Sequence, residues 1–194
     1  MRNVYIIGPS GGGKTSLFHY LKAHLGPAFH FPLRVVSRRP RTAADGLENV
    51  FLSHDQFEEL RRKGDPSLFF SWHRLMEGDR VEYYGYRTCD IDPDKINVFS
   101  ANNALLLYPD SYIPPNTLTA HDSCFIACIA PADIRRARLK ERSPEFSDAE
   151  LEVRINQESI EGMLGSLDLV IDTTNITQEE TGKRAVEFLS RFSV

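Results

Sequence analysis

The sequence lacks the features that mark membrane, secreted and zinc-binding proteins. No stretch approaches about 20 uninterrupted apolar residues, which excludes a membrane-spanning helix. The first residues, MRNVYIIGPS, have neither the long apolar segment nor the small-residue cleavage site of a secretory signal, so we expect a cytoplasmic protein. The histidines are scattered without HxxxH or HExxH spacing, which argues against a zinc site.

Cysteine and charge of one sign are also scarce. The chain of 194 residues has three cysteines, no CxxC pair and a net charge of -4. This charge argues against a protein that coats nucleic acid, and we expect neither a nucleic-acid nor a membrane partner. Cys124 and Cys128 lie in the run DSCFIACIA, where strand alternation places both on one face. We predict that they are buried thiols without a redox or metal role.

The sequence does contain an alternation of apolar runs and helical patterns. The apolar runs predict buried parallel strands at residues 4–7, 33–36, 96–99, 125–129 and 169–171. Helical patterns occur at residues 15–25, 133–142 and 148–164. Strands that alternate with helices are typical of an α/β fold with a doubly wound parallel sheet. Residues 34–88 break this rhythm with turn signals and short runs, which predicts an inserted subdomain that holds the substrate.

The segment GPSGGGKT, residues 8–15, matches GxxxxGK[ST] and lies between a predicted strand and a predicted helix. Its glycines permit backbone conformations in which successive N–H groups converge on phosphates. We expect Lys14 to reach the β and γ phosphates and the Thr15 hydroxyl to ligate Mg²⁺. The motif therefore predicts ATP and Mg²⁺ as cofactors, with a purely structural glycine-rich turn as the alternative. The predicted nucleotide-binding residues of this segment are Gly8, Pro9, Ser10, Gly11, Gly12, Gly13, Lys14, Thr15 and Ser16.

The rest of the chain distinguishes among the classes of protein that carry such a loop. A GTPase needs a base-reading NKxD motif, and the sequence has none. Motors and helicases need a longer chain with a clear acidic Walker B strand. The small size, the inserted subdomain and a late arginine-rich helix favour a kinase that acts on a small phosphorylated acceptor.

These motifs resemble the guanylate kinase superfamily along nearly the whole chain. The phosphate loop is similar to that of the family, and SRRPR, residues 37–41, is similar to its arginine pair. The resemblance implies that Arg38 and Arg41 hold the acceptor phosphate, for which two planar guanidinium groups supply suitable donors. It also places Tyr84 against the acceptor. A solvated basic turn is the alternative for the arginines.

The same resemblance implies a single P-loop NTPase domain with three parts. The core comprises residues 1–33, 89–134 and 156–194, with an acceptor-binding subdomain at 34–88 and a helical lid at 135–155. Asn175, in VIDTTN, falls where the family packs a loop on adenine. The sequence does not fix the oligomeric state, and a homodimer is one of the open alternatives.

The late segment DIRRARLKERSPEFSDAELEVRI is similar to the lid of the family. By position, the resemblance implies that Arg142 and Arg154 close on the ATP phosphates and that Arg138 lies near the transfer path. Catalysis of phosphoryl transfer needs cations there, because it depends mostly on positioning and charge stabilisation. The alternative is the solvated face of an amphipathic helix, and it is stronger for Arg135 and Arg136.

Several positions depart from the guanylate kinase pattern. Ser71 stands where those enzymes carry the carboxylate that reads guanine, and Asn49 stands where they carry a tyrosine for the acceptor phosphate. Without that carboxylate the N–H donors of guanine are unmatched, at a cost of about 1–3 kcal/mol for a buried donor. The sequence therefore disfavours GMP as the acceptor. At the strand end VFSANN, Ser100 and Asn102 replace aspartates of the family.

The combination of DG-x-EN, SWH and YYG resembles the ribose 1,5-bisphosphate phosphokinases, the guanylate-kinase-like enzymes of phosphonate breakdown. This resemblance implies phosphoryl transfer from ATP to ribose 1,5-bisphosphate, which gives 5-phosphoribosyl diphosphate and ADP. The acceptor has no base, so a missing base-reading carboxylate is expected. The implied sugar pocket is formed by Glu48, Asn49, Ser71, His73 and Tyr84. For His73, a purely structural role is the alternative.

Two other functions stay open at this point. One is a nucleoside monophosphate kinase with an unusual base pocket. The other is a guanylate-kinase-like binding module that has lost catalysis, against which the intact GKT argues.

Overall fold

The computed structural model describes residues 3–40, 45–46, 48–62, 68–75, 81–101, 123–156 and 167–192. For residue 70 and residues 72–75 it describes the backbone only. No helix within these ranges is long and apolar enough to cross a membrane.

The main sheet is parallel and runs through the centre of the molecule. In spatial order its strands are β2 (Phe29–His30), β7 (Ile96–Ser100), β1 (Asn3–Ile7), β8 (Ser123–Ile129) and β9 (Leu169–Asp172). All five residues of β1 are buried, as expected for a central parallel strand that is covered on both faces. This order confirms the α/β fold with a parallel sheet that the sequence predicts.

Two helices cover one face of the main sheet. Helix α1 (Lys14–His24) follows β1 directly, and helix α5 (Gln178–Ser190) follows β9. Leu17 and Leu21 of α1 pack with Val4 and Ile6 of β1 in one apolar cluster. The two helices approach closely, because a Cβ atom at Gly182 of α5 would lie 2.1 Å from the Tyr20 ring of α1. The two helices that cover this face therefore contact each other directly.

A second sheet covers part of the opposite face. Its strands, in spatial order, are β4 (Asn49–Phe51), β3 (Arg34–Val36), β6 (Val81–Arg87) and β5 (Leu68–Leu75). Strand β3 is parallel to β4 and antiparallel to β6, so this sheet is mixed. Val36 and Tyr86 pack with Tyr5 and Phe99 of the main sheet, which joins the two sheets.

The strand predicted at residues 33–36 is present as β3, but it lies in the second sheet and not in the main one. A run of three or four apolar residues predicts a buried strand but does not identify the strands beside it. The pairing of β3 with β6 places it in the second sheet. Helix α2 (His54–Arg62) packs on this sheet through Phe57, which contacts Val35, Leu68 and Tyr83.

Helices α3 (Ala132–Arg142) and α4 (Asp148–Asn156) form a separate layer after β8. Leu139 of α3 packs with Leu151 and Ile155 of α4, and Phe146 of the connection closes this small cluster. The helix predicted at residues 148–164 begins at the predicted position, and residues 157–166 lie outside the described part.

The burial predicted for the two cysteines of β8 is confirmed. Cys124 and Cys128 are free, buried and part of the cluster that contains Val4 and Ile6. Burial raises the pKa of each thiol to about 12, so both stay protonated in the native protein at neutral pH.

Candidate active site

A cavity of about 460 Å³ opens at the carboxyl ends of the main-sheet strands. The segment after β1 supplies Lys14, the end of β7 supplies Ser100, and Thr173 comes directly after β9. Binding sites of parallel α/β sheets lie at this edge, because the connections to the following helices diverge there. The cavity is thus placed where the fold predicts a ligand.

The phosphate loop forms one wall of this cavity. Its glycines at positions 8, 11 and 13 have φ angles of 137°, 79° and 104°, a region that side chains disfavour. The loop also packs tightly on β8, since a Cβ atom at Gly8 would lie 2.2 Å from the carbonyl oxygen of Cys128. Helix α1 begins at Lys14, so its N-terminal N–H groups lie beside the loop. This geometry is suited to an anion at the start of α1.

Lys14 bends back over the loop. Its Nζ donates to the carbonyl oxygens of Gly8 at 2.6 Å and Pro9 at 2.9 Å. Together with Thr15 and Ser16, the side chain lines the cavity. The predicted loop residues Ser10, Gly11 and Gly13 line it too. The structure therefore brings the ammonium group and the loop together at the cavity.

Two arginines of α3 support the loop from behind. Arg138 donates to the carbonyl oxygen of Gly11 at 3.2 Å and to the side-chain and backbone oxygens of Thr173 at 2.9 and 2.7 Å. Arg135 donates to Ser10 at 3.5 Å and to Ile155 of α4 at 3.4 Å through backbone oxygens. Arg138 lines the cavity, but these contacts direct most of its donors to the protein.

Sequence reasoning missed Arg135 and Thr173. For Arg135 a solvated helix face was the alternative, yet only 7% of the residue is exposed. The Thr173 hydroxyl lies 3.1 Å from the carbonyl oxygen of Gly12 and accepts from Arg138. The i, i+3 spacing of Arg135 and Arg138, which places both on one helix face, was a usable signal for the first residue. Nothing in the local sequence marks Thr173, because its partners are far away in the chain.

The second sheet provides the wall opposite the phosphate loop. Arg34, Arg38 and Tyr84 line the cavity there. Arg38 forms a two-point ion pair with Asp45, with distances of 2.6 and 3.0 Å. The Tyr84 hydroxyl donates to Glu82 at 2.5 Å. Arg34 was missed, although strand alternation places it on the same face of β3 as Val36; Arg38 follows in a bend after that strand.

The other predicted acceptor residues lie behind this wall or outside the described part. Asn49 is 3% exposed and bonds to Asp45 and Arg34, and Ser71 is fully buried. Glu48 contacts His19 of α1, with 2.8 Å between Oε1 and the ring Nε2. None of these three is part of the cavity wall that the described residues form. Arg41 and the His73 side chain lie outside the described residues.

The two arginines predicted to close on ATP from a lid occupy different environments. Arg142, at the end of α3, is exposed and lines the cavity. Arg154 is 2% exposed, bonds to Glu150 at 2.7 Å and lies 4.4 Å from the ring centroid of Phe146. It is absent from the cavity wall of the described residues. Asn175 is exposed beside Ile176, which lines the cavity, and Asn102 lies outside the described part.

The described cavity wall is strongly cationic. It contains a single carboxylate, Glu141 of α3. No group of three or more His, Cys, Asp or Glu side chains that could hold a metal occurs among the described residues. The positively charged side chains of the wall are Lys14, Arg34, Arg38, Arg138 and Arg142.

Comparison with known proteins finds relatives among kinases. No family model matches the chain. It is 32% identical over 158 residues to a ribose 1,5-bisphosphate phosphokinase PhnN of Acidiphilium cryptum, covering 79% of this chain and 75% of the relative. It is 25% identical over 191 residues to the PhnN of Agrobacterium fabrum, covering 97% and 96%. A guanylate kinase of Helicobacter pylori is 39% identical over 66 residues, which is 34% of this chain and 30% of that protein.

Solved structures show the same fold at low sequence identity. A guanylate kinase from Anaplasma phagocytophilum superposes with a TM-score of 0.62 at 15% identity, covering 98% of this chain and 85% of that chain. A shikimate kinase from Acinetobacter baumannii superposes with a TM-score of 0.50 at 12% identity, covering 100% and 96%. These likenesses support the fold and not the acceptor.

Proposed function

This chain belongs to the PhnN family of the guanylate-kinase-like P-loop kinases, and from that premise we propose that it phosphorylates ribose 1,5-bisphosphate with ATP. The products would be 5-phosphoribosyl diphosphate and ADP. In this reaction an oxygen of the anomeric phosphate attacks the γ phosphorus of ATP, and the bond to the β-phosphate oxygen breaks. A phosphate oxygen is already an anion, so the reaction needs no general base.

One observation carries the proposal. Arginines of the second sheet and the phosphate loop face a single cavity, so two phosphorylated molecules can meet in it. The described part of the second sheet contributes no carboxylate to that cavity, and Ser71, at the expected base-reading position, is buried away from it. No carboxylate among these described residues would accept from the N–H groups of a guanine base. An acceptor made of a sugar and phosphates is the better chemical match.

On the donor side, the loop amides and Lys14 would hold the β and γ phosphates, and the Thr15 hydroxyl would be a ligand of Mg²⁺. The scarcity of carboxylates in the described wall fits an ion held largely by phosphate oxygens and water. Magnesium, when bound, neutralises the charge that develops on the phosphate oxygens. Arg142 would face the transferring group from the lid, while Arg138 positions the loop through Gly11 and Thr173.

On the acceptor side, the second sheet would form the binding subdomain. Arg38 and Tyr84 face the cavity from it, and Arg41 is proposed from its place in the motif. Asn49 and Glu48 are proposed as sugar contacts from the sequence. Because they lie behind this wall, they would support the residues that line it. Helices α3 and α4 would form the lid.

The test is a comparison of acceptors. ADP release with Mg²⁺ and ATP is measured with ribose 1,5-bisphosphate, GMP, dGMP, AMP and UMP as separate acceptors. We expect turnover with the sugar bisphosphate and a product one phosphate heavier by mass spectrometry. Turnover with a nucleotide alone would replace the proposal by a nucleoside monophosphate kinase. If calorimetry detects no ATP binding, the chain is a non-catalytic module.

A further inference from the structure

The two described arginines on the acceptor side of the cavity differ in what they already contact. The side chain of Arg38 is 5% exposed, and its two terminal nitrogens contact both carboxylate oxygens of Asp45. One of these nitrogens also donates to the carbonyl oxygen of Arg39 at 2.9 Å. The charge and the two terminal nitrogens of Arg38 are therefore engaged by the protein itself, whereas its buried Nε has no hydrogen-bond partner among the described residues.

Arg34 presents its donors differently. Its Nε donates to the side-chain oxygen of Asn49 at 2.9 Å, and its guanidinium carbon lies 5.7 Å from the ring centroid of Tyr84. In the part of the chain that the structure describes, the terminal nitrogens of Arg34 make no hydrogen bond. Asn49 thus holds the Nε edge of the Arg34 guanidinium, and the terminal nitrogens can bind a ligand. Arg34 also lines the cavity.

Asn49 connects the two arginines. Its amide nitrogen donates to the backbone and side-chain oxygens of Asp45, at 2.9 Å each, while its oxygen accepts from Arg34. The residue is 3% exposed, so these contacts replace water on both ends of the amide. A continuous chain of hydrogen bonds therefore runs from Arg38 through Asp45 and Asn49 to Arg34.

We propose that Arg34 supplies the two-point contact to a phosphate of the acceptor, and that Asn49 and the Arg38–Asp45 pair are positioning residues that orient it. A planar guanidinium with two unoccupied terminal nitrogens matches a phosphate better than one that is neutralised by a carboxylate. The inference rests on the proposed function only in requiring a phosphorylated acceptor.

Equilibrium binding separates this inference from the question of turnover. Calorimetry measures the affinity of ribose 1,5-bisphosphate, and separately of GMP, for the full chain saturated with ADP and Mg²⁺. We expect Arg34→Gln to weaken binding of the acceptor roughly 10- to 100-fold, the range for loss of a charged hydrogen-bonded contact. The affinity for ADP should stay within about twofold, because the phosphate loop is unchanged. Arg62→Gln, an exposed residue of α2, is the matched control.

A positioning role for Asn49 makes its own prediction. Asn49→Ala should weaken acceptor binding less than Arg34→Gln, and the double variant should bind no more weakly than Arg34→Gln alone. Arg34→Lys, which keeps the charge but loses the planar fork, should be intermediate. Thermal unfolding of each variant shows whether it folds. If Arg34→Gln does not fold, Arg34→Lys is used for the binding test.

The outcomes are distinct. Unchanged acceptor affinity in folded Arg34 variants, or additive losses in the double variant, would overturn the inference while leaving the proposed function standing. If the wild type binds GMP and not ribose 1,5-bisphosphate, the proposed function fails, and a loss of GMP binding in Arg34→Gln still upholds Arg34. If the wild type binds neither, the assignment of a phosphate contact to Arg34 is wrong.

Discussion

The guanidinium of Arg154 and the carboxylate of Glu150 form an ion pair one turn apart in α4, with 2.7 Å between Nε and Oε1. Their side chains are 2% and 7% exposed, and Arg154 also lies against the ring of Phe146. Removing one partner of a buried pair leaves an uncompensated charge in a poorly solvated place. In this structure Arg154 therefore joins α4 to the connection between α3 and α4.

Arg154→Ala should consequently lower the free energy of unfolding by about 3 kcal/mol. The matched control is Arg184→Ala, which breaks an i, i+4 pair with Glu180 whose side chains are 52% and 48% exposed. We expect that control to change stability by less than about 0.5 kcal/mol. Urea unfolding of both variants makes the measurement. A stable Arg154→Ala variant with a large loss of kcat would instead show that Arg154 reaches the phosphates during turnover.

Lys14→Ala should abolish turnover while the protein still folds. Its ammonium group lies over the loop that precedes α1, where the β and γ phosphates of ATP are expected. ADP release and a thermal unfolding curve are the two measurements. Lys22→Ala removes an exposed lysine from the same helix and should leave both unchanged. Normal turnover by the Lys14 variant would rule out this site.

Thr173→Val should raise the KM for ATP on the order of 10-fold. The change keeps the side-chain shape but removes a hydroxyl that contacts the Gly12 carbonyl and accepts from Arg138, which leaves polar groups of the loop unsatisfied. Thr174→Val is the control, because that hydroxyl donates to Asp172 at 2.5 Å. Equal KM values for the two variants would contradict a role of Thr173 in holding the loop.

The cysteines allow a chemical test of the core. Thiolates react with iodoacetamide, and burial raises the pKa of Cys124 and Cys128 from 9.0 to about 12. At pH 8 the native chain should therefore be labelled at the exposed Cys89 alone, and the unfolded chain at all three positions. Mass spectrometry counts the labels. Rapid native labelling of Cys128 would show that β8 is not buried as described.

The raised pKa of the two buried thiols also makes stability depend on pH. Between about pH 9 and pH 12 the unfolded thiols lose protons that the folded ones keep, so the folded state binds more protons. Unfolding by urea should accordingly become easier as pH rises above about 9, and this contribution should be fully present below that pH.

Much of the donor side was predictable because its signals are local. GPSGGGKT is one continuous segment, and the strand before it and the helix after it follow from apolar runs of the right length. The acceptor side was predicted less well. Asn49 and Ser71 were proposed as pocket residues, but the structure buries both behind the wall, while Arg34 faces the cavity. Strand alternation says which residues share a face, and only the pairing of β3 with β6 decides which face meets the cavity.

The sequence by itself determined the phosphate loop, the parallel α/β order and the buried cysteines, since each depends on spacing within a short stretch of chain. The tertiary structure decided which arginines meet the cavity and which are paired with carboxylates. The partners of Arg38, Arg135 and Arg138 include Asp45, Ile155 and Thr173, which spacing along the chain does not identify. A guanidinium has the same charge in every setting, and only its neighbours decide whether it binds a ligand or the protein.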